Sequence, residues 1–279
     1  MTISLVLFLL ALAVYLAATL LYLTDVVRRR AEGGLAGRWT LVAGFLLHLA
    51  STVSRYVELG FTPVTNLHES LSFFVLTIVG AYLVFNLRYR LAVLGAFTSA
   101  LGTIIMAVSA LLHRGLPREV SPILNSWLFP VHVALAFLGN GVLALAFGAG
   151  VMYLVQERLL KSKNFNALYY RLPSLDALDR FNYASLSSGF VLLTLGIISG
   201  SIWAEAAWGS YWSWEPKQTW ALATWMLYAA ALHARMASGW RGRRAAIFAI
   251  VGFLALMFSF LGVNLLFGGP HAFRAFQGG

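Results

Sequence analysis

The chain has no cysteine, which excludes disulfides, thiolate metal sites and a cysteine nucleophile. Charge is nearly as scarce. Only 11% of the 279 residues are Asp, Glu, Lys or Arg, against roughly 25% in soluble globular proteins. Acidic residues are scarcest, ten against twenty basic ones. With 60% of residues hydrophobic and a mean hydropathy of +0.78, a water-facing surface has no material to be made from. A soluble enzyme with one buried core is excluded, and so is a disordered tail. What is present is long apolar runs, at about 3–23, 40–57, 69–87, 91–112, 127–155, 181–203, 218–237 and 245–267. Crossing a bilayer takes about 20 apolar residues. The fold class is therefore all-α: a polytopic membrane protein of about eight transmembrane helices, forming a single domain over residues 1–279.

A net charge of +10 raises nucleic acid as a partner, but its distribution points to the bilayer instead. With the N-terminus outside, the inner loops hold Arg28, Arg29, Arg30, Arg38, Arg88, Arg90, Arg158, Lys161, Lys163, Arg171, Arg180, Arg235, Arg241, Arg243 and Arg244. The outer side keeps Arg55, Arg114, Arg118, Lys217 and Arg274. That bias is the positive-inside pattern, so both termini are expected outside and no nucleic-acid role follows. The first run has no basic segment before it, and Arg28-Arg29-Arg30 follows it. It reads as a retained helix, not a cleaved signal.

Most connections are short. The inner stretch from Gln156 to Arg180 is an exception, with Leu172, Leu175 and Leu178 recurring every three residues. It reads either as an amphipathic helix on the inner surface or as a polar connector. The run at 127–155 exceeds the hydrocarbon thickness, which predicts that its start, Trp127 to His132, stands in the outer interface.

The densest chemistry lies from Trp203 to Trp220. Five Trp and one Tyr fall within this stretch, together with Gly209, Glu215, Pro216 and Lys217. An aromatic belt at a membrane boundary explains scattered Trp, but it needs neither a shaped turn nor paired charges. A Trp-rich external loop at 203–218 reads better as a platform for a flat amphiphile, with Lys217 meeting an anionic edge. Six histidines sharpen this: His48, His68, His113, His132, His233 and His271. His132 and His271 lie on the same outer side as the Trp-rich loop, an arrangement that suits bis-histidine haem, since iron accepts neutral imidazole axially. His233 lies about 22 Å down its helix from the outer end and belongs to another level. His48 reads as helix–helix bonding and His113 as a solvated border residue. Arg55 and Glu58 either neutralise an anionic ligand or pair with each other. Asn264 reads as glue between helices.

The run from Trp203 to Trp220 and on through His233 and Arg235 resembles the Trp-rich WWD signature of haem-handling proteins, and more specifically the CcsA (ResC) cytochrome c biogenesis proteins of System II. Further matching stretches are Phe61-Thr-Pro-Val-Thr-Asn-Leu-His-Glu-Ser70, Ser126-Trp127-Leu with His132, and Gly262-Val-Asn-Leu-Leu266 with His271. The resemblance covers about residue 40 to the C-terminus. It implies that His132 and His271 ligate haem b on the outer face, and that His233 holds haem within the membrane opposite a histidine of a CcsB (ResB) partner. Trp208, Gly209, Trp212, Trp214, Pro216 and Lys217 match the motif positions that cradle the outer haem. Glu215 stands where the motif has Asp, and Gln218 where it has Glu. His68 stands where many relatives have Tyr and is not expected to be a ligand.

The expected function is that of a haem-handling subunit of a cytochrome c synthase, enzymatic as part of a complex. It would move haem to the outer face of a bacterial plasma membrane for thioether attachment to the Cys-x-x-Cys-His segment of apocytochrome c. The alternatives are a haem-delivery subunit that loads a haem chaperone, and a cytochrome b-like electron carrier.

Overall fold

A computed structural model describes residues 2–28, 34–113, 124 and 126–267. Eight long helices follow one another: α1 (Ile3–Arg28), α2 (Leu35–Leu59), α3 (Leu67–Tyr89), α4 (Ala92–Leu111), α5 (Leu128–Lys161), α6 (Leu175–Trp208), α7 (Pro216–Ser238) and α8 (Arg243–Met257). A π-helical turn, Phe258–Gly262, and a short helix α9, Val263–Leu266, complete the order. Seven of the long segments are long and apolar enough to span a membrane; α7 is long enough but less apolar. In hydrocarbon only helices and closed barrels satisfy the backbone, and continuous apolar runs of this length, unlike the alternating strands of a barrel, commit the chain to helix.

Contacts between distant residues show that the helices run up and down. At one end Ser4 donates to Glu58, Arg55 to Glu69, and Trp220 packs on Phe258. At the other end Arg235 pairs with Asp179, and Arg243 with Glu157. We call these the Trp end and the Arg end. The Trp end carries the stretches assigned to the outer side, and the Arg end those assigned to the inner side.

One open alternative is decided, for the polar connector, and one expectation changes. The inner stretch holds no separate helix: α5 runs on through Lys161, residues 162–174 form turns, and Ser174 caps α6 by accepting from Ala177 N–H. The leucine periodicity came from the connector meeting the first turn of α6, where Leu178 is fully buried. The Trp-rich stretch at 203–218 is only partly loop. Trp203–Trp208 is the last turn and a half of α6, α7 starts at Pro216, and the loop is 209–215. Hydropathy fell where Trp and Glu entered the sequence, but the helical bonds did not stop there. At 34 residues each, α5 and α6 are about 51 Å long. Both are longer than the roughly 30 Å hydrocarbon layer is thick.

The core runs through α3, α5 and α6, with Phe74, Val75, Ile78, Val79, Leu143, Leu145 and Phe181 buried in it. A second, smaller cluster of Phe61, Val64, Leu124, Phe129, Val133 and Trp203 closes the Trp end. It joins the connection after α2 to the start of α5 and the end of α6, which fixes the walls of the cavity described next.

Candidate functional site

Between α5, α6, α7 and the π-helical turn lies a cleft of about 1230 Å³, counting its open mouth. Its deep walls are apolar, from Phe137, Leu193, Leu256 and Phe260, whereas His132, Trp212, Lys217 and Gln218 also line it. Mostly apolar walls with a few placed polar groups are the usual make-up of a small-molecule site.

His132 lies in the second turn of α5 with its ring directly over α6. Its Nδ1 sits 2.9 Å from the carbonyl oxygen of Gly196. A carbonyl only accepts, so Nδ1 carries the proton and Nε2 carries the lone pair in the neutral ring. This is the tautomer that metal-binding histidines adopt when a carbonyl orients them. The imidazole is stacked on Trp203 at 9° with centroids 6.1 Å apart. Trp203 is 1% exposed and is held in turn by Phe129 and Trp208.

The loop is braced from within. Gly209 ends α6 with φ 73°, a left-handed cap that glycine adopts without steric cost. Pro216 begins α7, where its missing N–H costs nothing. Gln218 Oε1 accepts from Ser213 N–H at 2.8 Å and from its hydroxyl at 3.2 Å, and Thr219 Oγ1 donates to the Trp214 carbonyl at 3.1 Å. Gln218 thus acts as an acceptor, a role that the glutamate of the motif would fill equally. Trp214 is held at φ 55° with its ring turned outward, an uncommon conformation for a bulky side chain. Trp212 meets it edge-on.

Two donors in the wall have no counterpart. The Trp212 Nε1–H is buried and has no hydrogen-bond partner among the described residues. Lys217, ahead of the apolar run 218–237, forms no ion pair among them. Loss of hydration pulls its pKa down to about 8, against the raising effect of Glu215. A buried N–H without an acceptor and an ammonium beside apolar walls both favour an anionic ligand.

Of the residues singled out from sequence, His132, Trp212 and Lys217 line the cleft. Trp208 stands behind Trp203. Gly209, Glu215 and Pro216 shape the turn, and Trp214 points outward. His233 is exposed on the outer face of α7, about 24 Å along the helix from Lys217. His271 lies outside the described residues, and so does the side chain of Asn264. The sequence reading missed Trp203 as the support of the imidazole. It also missed Gly196 and Gly200, whose four-residue spacing is the small-residue signature of close helix contact.

The remaining histidines lie apart, among α1 to α4. His48 is fully buried, with Nδ1 3.2 Å from Tyr15 Oη and Nε2 2.8 Å from Ser72 Oγ, as helix–helix bonding predicts. His113 is not simply solvated: its Nδ1 is 3.2 Å from His68 Nε2, and His68 Nδ1 meets Ser109. Arg55 is 3.8 Å from Glu58 but donates twice to Glu69, at 2.9 and 3.1 Å. It faces this second, polar pocket and not the cleft of His132.

Comparison with known proteins identifies the family. Residues 64–271 match the cytochrome C assembly protein family. The "Cytochrome c biogenesis protein CcsA" of Guillardia theta is 35% identical, with 79% of each chain covered. That of Chlamydomonas reinhardtii is 36% identical over 85% of this chain and 67% of its own, and that of Crocosphaera subtropica 34% over 80% and 83%. Among solved structures, a chain described as "Cytochrome c Heme Lyase CcmF" superposes on 97% of this chain with a TM-score of 0.66. At 20% identity it shares the fold, and this chain spans about half its length (48%). A match over most of the chain, and relatives at this identity, place the protein in the cytochrome C assembly protein family, among the CcsA proteins.

Proposed function

We propose that the chain takes up haem b and presents it at the Trp end, between His132 and His271, for thioether attachment to the Cys-x-x-Cys-His segment of apocytochrome c. One observation carries this reading. His132 has its Nδ1 proton committed to the Gly196 carbonyl, in the wall of an apolar cleft that also holds Lys217 and the unpartnered Trp212 N–H. A flat apolar ring carrying iron and two carboxylates fits each of these parts.

Bound haem supplies the vinyl groups that accept the thiols and the iron that the imidazoles hold. The chain's own residues position and enclose. His132 would hold the iron, with Trp203 stacked on the imidazole to limit its rotation. Lys217 and Trp212 would meet the carboxylates and so orient the bound group. Phe137, Leu193 and Phe260 keep water from the rest. With no cysteine in the chain, both sulfurs come from the apocytochrome, and the synthase activity belongs to the assembled complex.

His233 supports a two-level arrangement. An imidazole exposed on a helix face in the membrane is costly unless something covers it. A CcsB-type partner bringing a second histidine would do so. We place the protein in the bacterial plasma membrane with the Trp end outside, as the arginine distribution favours. A cytochrome b-like carrier is disfavoured because both His48 nitrogens are already engaged. Loading of a separate haem chaperone remains the competing use of the same cleft, and apocytochrome maturation distinguishes the two.

The test is His132→Ala and His271→Ala in the protein purified with its partner. A pyridine haemochrome assay and the Soret band should show loss of the outer haem, and maturation of a reporter cytochrome c should fall to background. Normal haem content and maturation in either variant removes that residue from the site.

A further inference from the structure

The carbonyl that orients His132 does not serve it alone. Ser199 Oγ donates to the same Gly196 oxygen at 3.1 Å, and within α6 that oxygen also accepts the Gly200 N–H by the i to i−4 pattern. A carbonyl oxygen has two lone pairs, so three donors share it and each bond is weakened. Next to it, Gly200 is where the imidazole rests. A Cβ built there would stand 2.5 Å from His132 Cε1 and 2.7 Å from Nδ1. A Cβ on Gly196 would stand 3.1 Å from the Ala136 backbone. A side chain at Gly200 would displace the ring, and one at Gly196 would require the α5 backbone to give by a few tenths of an ångström.

We propose that the Gly196–Ser199–Gly200 turn of α6 positions and tunes the His132 imidazole: Gly200 seats the ring, the Gly196 carbonyl fixes its tautomer, and the Ser199 hydroxyl limits how strongly that carbonyl pulls on the Nδ1 proton. This rests on the reading of His132 as a haem ligand. The consequence is electronic. The more completely Nδ1–H is given to an acceptor, the more imidazolate-like and electron-donating Nε2 becomes, and the more the ferric state is favoured. By drawing on the same oxygen, Ser199 keeps His132 a weaker donor and holds the iron at a higher potential.

The experiment uses the full chain purified with its partner and haem, and it reads the midpoint potential and Soret band of the haem that His132→Gly removes. Ser199→Ala should keep the haem and move its midpoint to more negative values. Ser199→Thr, which retains the hydroxyl, should stay near the wild-type value. In a His132→Gly background refilled with 1-methylimidazole, which has no N–H to donate, Ser199→Ala should leave the midpoint unmoved. Gly200→Ala should lose the band in the otherwise wild-type chain and regain it in the refilled His132→Gly background. If Ser199→Ala shifts nothing although His132→Gly abolishes the band, the tuning role is overturned and the haem site stands. If Gly200→Ala keeps a normal band, the positioning role is overturned. If His132→Gly itself leaves the spectrum unchanged without added base, the haem reading fails.

Discussion

Both sides of the Trp end bury imidazole beside charge, yet they use it differently. Among α1 to α4, His48 spends one nitrogen on Tyr15 and the other on Ser72, His68 spends its two on Ser109 and His113, and Arg55 is held by Glu69. Polar groups there satisfy one another, which is what buried polar groups ordinarily do. Between α5, α6 and α7, His132 spends Nδ1 on a carbonyl, while Trp212 and Lys217 meet no acceptor or counterion among the described residues. One side is a closed network that holds helices together. The other leaves the buried Trp212 N–H without an acceptor among the described residues.

The strongest way to break this contrast is to exchange the phenotypes. His132→Ala is expected to abolish maturation while leaving the melting temperature of the ligand-free protein nearly unchanged, as scanning fluorimetry in detergent would show. Arg55→Met should do the reverse. It strands the Glu69 carboxylate, 3% exposed, and breaking a buried pair in this way costs about 3–5 kcal/mol. Unfolding should come earlier, but whatever protein folds should keep the haem spectrum. His48→Leu should cost about 2–4 kcal/mol by leaving Tyr15 and Ser72 without their bonds, again with the spectrum intact. A lost haem band at normal stability in either variant would merge the two regions into one site.

Lys217 sharpens the comparison through pH. Its free-state pKa near 8 rises when an anion arrives, because the neighbouring negative charge favours the ammonium. Binding should therefore be level below pH 8 and weaken above it, by up to tenfold per pH unit, until the bound-state pKa is reached. Zinc protoporphyrin titrated by fluorescence quenching would show this, and its dimethyl ester should show no slope. Lys217→Gln should flatten the profile and weaken binding about 10- to 100-fold at pH 7, the worth of one charge-assisted hydrogen bond. The smallest effect is expected at His113. It lies outside the spans, and burial together with Arg55 holds its pKa below the usual imidazole value. His113→Ala should cost about 1 kcal/mol or less, with no change in haem.

The helices were legible because their apolar runs answer to the bilayer and nothing else. Their ends were not. Hydropathy marks where hydrocarbon stops, but hydrogen bonding carries α6 on through Trp203, Glu205 and Trp208, so a helical wall looked like a loop. Lys217, Trp212 and His132 could be read as chemistry because five Trp, a shaped turn and paired charges crowd one stretch, which an aromatic belt does not need. The four-residue spacing of Gly196 and Gly200 marks a close helix contact but not what that contact holds. In a linear reading glycine weakens a helix, and only the facing ring on α5 shows that the missing side chain makes room. The Arg55–Glu69 bond was hidden similarly, since its partners lie fourteen residues apart on different helices and no periodicity links them.

The π-helical turn at Phe258–Gly262 gives α8 one surplus residue just as it passes the cleft, with Ser259 and Phe260 in the lining. An α-helix advances 100° of rotation and 1.5 Å of rise per residue, and a single-turn bulge breaks that count. Removing one amino acid from this segment would let the ordinary helix close up. The short helix Val263–Leu266 would then swing by about a quarter-turn relative to the wall it follows. The length of this segment, more than its composition, decides which face that helix turns to the bundle.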